Sequence, residues 1–178
     1  MTEYTQQGPQ QDDSTMQNKA VGWGLVAIQA LLIVGIILTP TSDDWPLSSG
    51  AKTVTTALTV FGAALVVWAV LVFGRGVTPS PMPSKKAKLQ TRGPYRWIRH
   101  PMYTGVILWM AGSAMARRNW VAAVLWVALI GFFLAKIGWE ERRLVETYPG
   151  YQSYKDSVPA LVPISRRENP GPDEPPSD

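Results

Sequence analysis

The chain has 178 residues, of which 46% are hydrophobic, and it carries a formal net charge of +4. This length suits one compact unit rather than two. Because there is no cysteine, disulfide bonds and thiolate metal sites are excluded, and a zinc site around the single histidine would need a carboxylate cluster that the sequence does not show. We therefore predict no metal. Nucleic acid is not indicated either, because the basic residues lie in loops between long apolar blocks.

Four blocks of the sequence carry no charged residue. They comprise residues 20–39, 53–74, 101–116 and 119–135. A helix needs about 20 apolar residues to cross a bilayer; the first two blocks reach that length, and the other two approach it with flanking residues, the fourth to about 139. We predict an all-α integral membrane protein with about four transmembrane helices.

The two ends of the chain have a different composition. Residues 1–18 are rich in Gln, Asp, Ser and Thr, and residues 165–178 are rich in proline, so both are predicted to be disordered tails. The membrane domain is then 19–164.

The basic residues predict the orientation in the membrane. They concentrate between the second and third blocks and after the fourth: Arg75, Lys85, Lys86, Lys88, Arg92, Arg96 and Arg99, then Arg142, Arg143, Lys155, Arg166 and Arg167. Since short cytoplasmic loops collect Lys and Arg, we expect both termini and the loop 75–100 to be cytoplasmic. The loop with Asp43 and Asp44 would face outward, and so would Arg117 and Arg118, a small exception to the rule.

His100 stands where a basic loop enters the third block. Pro101 suits the first turn of a helix, because the N–H that it lacks would be unbonded there, and it disfavours helical geometry at His100. The free amides of that helix end would bind an anion, and Tyr103 lies near the same face. The sequence thus predicts a site for a small-molecule carboxylate; the alternative is a histidine that only caps the helix, with Arg96 and Arg99 contacting lipid headgroups.

Lys136 and Glu140 share a helix face near the end of the fourth block, because they are four residues apart. Glu141 is turned about 100° away, so the two glutamates cannot have the same role. A charge near bilayer depth is costly and marks a functional-site candidate. The alternative, which spacing alone favours, is that Lys136 snorkels and that both glutamates pair with Arg142 and Arg143 as solvated charges.

Beyond the fourth helix, Tyr148, Tyr151 and Tyr154 recur every three residues, and on a helix they would form one aromatic stripe. Tyrosine favours the lipid–water boundary. We predict a C-terminal interfacial helical segment, which is either a cap over the site or an ordinary amphipathic helix.

Three motifs occur together in a characteristic order. They are G-P-Y-R-W-I-R-H-P-M-Y-T-G at 93–105, the pair Glu140 and Glu141, and a Y-x-x-Y…V-P…P pattern at 151–163. Together they resemble the integral-membrane isoprenylcysteine carboxyl methyltransferases and their prokaryotic relatives, and the phospholipid methyltransferases share the general pattern. The resemblance covers about residues 53–164.

The resemblance implies that S-adenosylmethionine binds between the loop before the third helix and the end of the fourth. The residues that it assigns to the cofactor are Lys88, Leu89, Gln90, Tyr95, His100, Pro101, Tyr103 and Glu140. Lys136 takes the place of an arginine that is linked to substrate in the isoprenylcysteine enzymes, so Lys136 and Glu140 are the implied catalytic pair. The implied partners are membrane lipids and a lipophilic or small hydrophobic methyl acceptor.

The sequence departs from that family at three positions. Ala87 replaces an upstream histidine, Lys136 is not a bidentate equivalent of arginine, and Ser157 stands where basic residues are common. The acceptor atom therefore stays open among carboxylate, amine, phenol and thiol groups. Two other classes also stay open: an NADPH-dependent sterol-type or steroid-type membrane reductase, and a non-catalytic membrane protein that binds anionic lipid.

Overall fold

The computed structural model describes residues 10–74 and 89–163, with side chains from residue 20 onward. Its elements are α1 (Gln10–Leu38), α2 (Ser49–Phe73), a 3-10 turn (Gly93–Arg96), α3 (Pro101–Arg117), α4 (Trp120–Thr147) and α5 (Tyr151–Ser157). No strand occurs within the described ranges. The predicted all-α membrane architecture is confirmed.

Three helices are long and apolar enough to cross a membrane: Ala20–Leu38 within α1, all of α2 and all of α4. The third predicted span forms as α3, but with 17 residues it is the shortest of the four. At 1.5 Å per residue α3 is about 26 Å long, less than the roughly 30 Å of a hydrocarbon core. Its length is limited by Pro101 in the first turn and by Arg118, whose φ of 52° lies in the left-handed region and ends the helix.

Two helices extend beyond the predicted boundaries. α1 begins at Gln10, inside the segment expected to be disordered, because no glycine or proline interrupts residues 10–20. α4 continues to Thr147 rather than about 139, since no helix breaker precedes Pro149 and Gly150. The predicted tail 165–178 and residues 1–9 lie outside the described residues.

α2 and α3 make the closest helix contact. A Cβ added to Gly62 would lie 2.3 Å from the Trp109 nitrogen, one on Gly105 would lie 2.8 Å from the Gly62 oxygen, and one on Gly112 would lie 2.5 Å from the Thr55 oxygen. Small residues allow two backbones to approach in this way inside a membrane, where packing replaces the hydrophobic effect as the driving force. This contact fixes α3, and therefore fixes His100 at its start.

The buried core joins α1, α3 and α4. It consists of Ile36, Met110, Ala114, Ala122, Leu129 and Phe133. Phe133 also contacts the polar site, because its ring stacks on that of Tyr103 with 4.7 Å between centroids. The core thus supports the site directly.

Arg117 and Arg118, the exception to the charge rule noted in the sequence, lie where α3 ends and α4 follows, at the opposite end of α3 from His100. Arg118 Nη1 lies 2.7 Å from Asp43 Oδ1, and the Trp120 amide donates to Asp44 Oδ2 at 2.8 Å. The Ser42 amide also donates to the Arg117 carbonyl. Asp43 therefore neutralises Arg118 locally.

Candidate functional site

The site lies where the start of α3, the second half of α4 and the C-terminal segment meet. α3 begins at Pro101, as predicted, with His100 as its N-cap. Within α3, the first amide with a backbone partner is that of Thr104, which donates to the His100 carbonyl at 3.0 Å. In the described chain, the amides of Met102 and Tyr103 have no such partner. The helix end therefore offers free donors beside the imidazole.

Tyr103 and Glu140 form the central contact of the site. The Tyr103 hydroxyl donates to the Glu140 carboxylate and lies 2.8 Å and 2.9 Å from its two oxygens. The Tyr103 ring is stacked on the imidazole of His100, with 5.4 Å between centroids, and on the ring of Phe133. Because these two ring contacts fix the Tyr103 ring, its hydroxyl fixes the carboxylate.

Lys136 contacts the same ring from α4. Its Nζ lies 4.9 Å from the centroid of the Tyr103 ring and donates to Gln29 Oε1 on α1 at 2.9 Å. The residue is only 5% exposed. The alternative that Lys136 snorkels to water is therefore wrong.

Glu141 lies at the centre of a second, buried ionic cluster. Its Oε1 accepts from Arg99 Nε at 2.9 Å and Nη2 at 2.7 Å, and lies 3.3 Å from His100 Nε2. Its Oε2 lies 3.1 Å from Lys155 Nζ. The two glutamates do have different partners, as predicted. The alternatives fail for two residues: Glu141 is buried and pairs with Arg99, and the Arg99 side chain is buried in protein and not exposed to lipid headgroups. Arg96, by contrast, is exposed.

The C-terminal segment is held over the site by its backbone. Arg99 Nη1 donates to the carbonyls of Lys155 and Val158, and the Arg99 amide donates to the Pro159 carbonyl at 2.9 Å. The next amide, of His100, donates to the Ala160 carbonyl at 3.0 Å. Of the two alternatives for this segment, the structure therefore favours a cap.

The three C-terminal tyrosines do not form one helical stripe, so that prediction is wrong. The chain turns at Gly150, whose φ is +87°, and α5 begins only at Tyr151, which leaves Tyr148 before the turn. Tyr154 on α5 donates its hydroxyl to the Tyr95 carbonyl at 2.5 Å. Burial raises the pKa of Tyr154 to about 12.

The remaining predicted cofactor residues lie beside the end of α2. Gln90 Nε2 donates to the Val72 carbonyl at 2.9 Å, and the Tyr95 hydroxyl donates to the Ala69 carbonyl at 3.5 Å. Leu89 next to them is half-buried. Lys88 and Ala87 lie outside the described residues. The structure thus brings His100, Pro101, Tyr103, Lys136 and Glu140 together, while Gln90 and Tyr95 bond to α2.

A family model for phospholipid methyltransferases matches residues 51–150. The chain belongs to this family. Among curated proteins it is 35% identical over 83 residues to the protein-S-isoprenylcysteine O-methyltransferase of Schizosaccharomyces pombe, a match that covers 46% of this chain and 35% of that protein. It is 29% identical over 109 residues to protein-S-isoprenylcysteine O-methyltransferase B of Arabidopsis thaliana, covering 59% of this chain and 55% of that protein.

A third relative covers more of the chain. The nickel-cobalt-cadmium resistance protein NccN of Alcaligenes xylosoxydans xylosoxydans is 28% identical over 153 residues, which is 85% of this chain and 68% of that protein. By contrast, the chain spans about a third to a half of the length of the isoprenylcysteine methyltransferases that it matches. The family predicted from the three motifs is confirmed.

Some residues of the site were missed by sequence reasoning. For Arg99 the sequence offered only the alternative of a lipid headgroup contact, and Glu141 was left without a role. Arg99 is adjacent to His100, but its arrangement depends on the distant segment 155–161. Gln29 was not considered at all. Its signal was present, because it is the only side chain with a charged or amide group in residues 20–38.

Proposed function

We propose that this member of the phospholipid methyltransferase family transfers a methyl group from S-adenosylmethionine to a lipophilic or small hydrophobic acceptor at the cytoplasmic face of the membrane. The observation that carries the proposal is the Tyr103–Glu140 contact beside the free amides of α3. The basic residues in the described ranges 89–99 and 142–155, at this end of the bundle, support the cytoplasmic assignment.

The residues present fit the charged groups of this cofactor. Its amino-acid portion carries a carboxylate and an ammonium group. A carboxylate suits the start of α3, where the Met102 and Tyr103 amides and the positive end of the helix dipole lie beside His100. An ammonium group suits Glu140, whose carboxylate Tyr103 already orients. The cofactor's carboxylate would thus meet the positive end of α3, and its ammonium group would meet the negative charge of Glu140.

The protein's contribution is mainly placement. S-adenosylmethionine would supply an activated methyl group on a sulfonium, because the neutral sulfide that departs from it is a good leaving group. Tyr103 holds Glu140, and Glu141 with Arg99 holds the loop before α3 and the C-terminal segment that excludes water. Orienting two reactants in this way can lower a barrier by about 7 to 11 kcal/mol.

A lipophilic acceptor fits the surroundings of the site. The outward faces of α1 and α4 expose large apolar side chains, among them Leu31 and Leu134, so an acceptor can approach from the bilayer. Lys136, at the buried side of α4, would orient its polar group. Because curated relatives are named for isoprenylcysteine, an S-prenylated cysteine is the first acceptor to assay.

The test is titration of detergent-purified protein with S-adenosylhomocysteine by calorimetry. We expect saturable binding by the wild type and loss of most of it in His100→Ala and in Glu140→Ala. Leu134→Ala, a lipid-facing change on the same helix as Glu140, is the matched control and should bind normally. No binding by folded wild-type protein would refute the proposal, and binding of NADPH instead would favour a reductase.

A further inference from the structure

Gln29 is the residue of the site that lies outside both the three motifs and the family match. It is on α1, whereas the matched segment begins at residue 51. Its neighbours in the span are apolar, and Trp23 is the only other side chain in residues 20–38 with a hydrogen-bonding group. A polar side chain inside a membrane span is rare and marks a functional position by default. Here the Gln29 carbonyl oxygen accepts from Lys136 Nζ at 2.9 Å.

In the described part of the chain, Lys136 bonds to Gln29 and forms no ion pair with Glu140, although Glu140 is near it on the same helix. Lys136 and Glu140 are four residues apart on α4, a spacing at which a lysine and a glutamate normally pair. Away from water such a contact would be stronger than on a protein surface. Yet among the residues with described side chains no ion pair joins them: Lys136 donates to Gln29, and Glu140 accepts from Tyr103.

We propose that Gln29 is a positioning residue that holds Lys136 Nζ away from Glu140. The Glu140 carboxylate then stays available for the cationic group of a bound ligand. Without Gln29, Lys136 turns to Glu140, and its amine must be displaced before that ligand can bind. The inference rests on the proposed function, because the ligand is S-adenosylmethionine or its demethylated product. It assigns to α1 a role in cofactor affinity in addition to anchoring.

The test is a double-mutant cycle read by S-adenosylhomocysteine binding. Gln29→Leu should weaken binding about tenfold, the effect of a competing internal contact worth roughly 1.4 kcal/mol. Lys136→Met should bind like the wild type, and so should Gln29→Leu combined with Lys136→Met, because no amine is left to compete. Leu31→Ala, on the exposed side of α1, is the matched control and should have no effect.

A conservative variant keeps the test valid if Gln29→Leu does not fold. Gln29→Glu retains an acceptor for Lys136, so its affinity should match that of the wild type, and a tenfold loss would contradict the inference. Equal weakening in Gln29→Leu and in the double variant would also overturn it, because Gln29 would then only tether α1 to α4. If the wild type binds and the cycle shows no coupling, the inference alone fails. If the folded wild type does not bind, the proposed function and the inference fail together.

Discussion

Removing the Glu141 carboxylate is the perturbation whose cost the structure defines best. Arg99 and Glu141 side chains are 5% and 6% exposed, so Glu141→Ala leaves a guanidinium buried without its counterion. Breaking a buried pair in this way typically costs about 3 to 5 kcal/mol. Arg99 keeps its bonds to the Lys155 and Val158 carbonyls through Nη1, and only Nε and Nη2 lose their acceptor. We therefore expect the lower part of that range, about 3 kcal/mol.

The assay is reversible unfolding in mixed detergent micelles, with the free energy of unfolding compared between variants. The control is Arg99→Met combined with Glu141→Leu, which removes both charges and keeps the volume apolar. Both variants lose the contacts of Glu141 with His100 and Lys155. Because replacing both partners of a buried pair is often neutral in itself, the further loss in the double variant should be only the two Arg99–carbonyl bonds, about 1 kcal/mol each. It should thus be more stable than Glu141→Ala, although its C-terminal segment keeps, of its bonds to residues 99–104, only those from the Arg99 and His100 amides and from the Thr104 hydroxyl.

Two results would refute this reasoning. If Glu141→Ala lowers the free energy of unfolding by less than about 1 kcal/mol, the Arg99–Glu141 pair contributes no more than a surface ion pair does. A double variant whose loss equals the sum of the losses in Arg99→Met alone and Glu141→Leu alone would show that Arg99 and Glu141 do not interact energetically.

Two further predictions concern the bundle and its cap. Gly62→Leu should destabilise the protein by roughly 1 to 3 kcal/mol or more, because its side chain would enter the α3 backbone at Trp109, whereas Gly24→Leu, with open space around it, should be tolerated in the same unfolding assay. Since the pKa of Tyr154 is raised to about 12 from an ordinary value of 10.0, the folded state holds this proton more tightly. Its contribution is complete below pH 10 and lost between about pH 10 and 12, so stability should fall there, and less steeply in Tyr154→Phe.

The helices and the start of α3 could be predicted from the sequence because they depend on local properties. Uncharged blocks of sufficient length give the spans, and a proline after His100 gives the N-terminus of α3. Boundaries were less accurate, as at Gln10 and Thr147, because apolar blocks mark where a helix enters the bilayer and not where its hydrogen bonding ends.

In the candidate site too, the sequence predicted relations within one helix but not contacts between separate elements. Spacing on one helix correctly placed Glu140 and Glu141 on different sides, and Tyr103 near His100. It could not show that Lys136 bonds across to Gln29, 107 positions away, or that Arg99 bonds to carbonyls near residue 158. Those contacts depend on how helices pack, and the sequence pattern of a single element carries no information about its partner.

The dependence of Arg99 on the C-terminal segment also orders events during synthesis. Arg99 and Glu141 are made before the segment 155–161 whose carbonyls and lysine complete their environment. Until those residues have left the ribosome, α2 and α3 can pack through their glycines and α4 can be inserted beside them, but the site at their end lacks its C-terminal segment. Insertion and completion of the site are therefore separate steps, and a chain that stops near residue 150 would be a membrane-embedded bundle with an unfinished site.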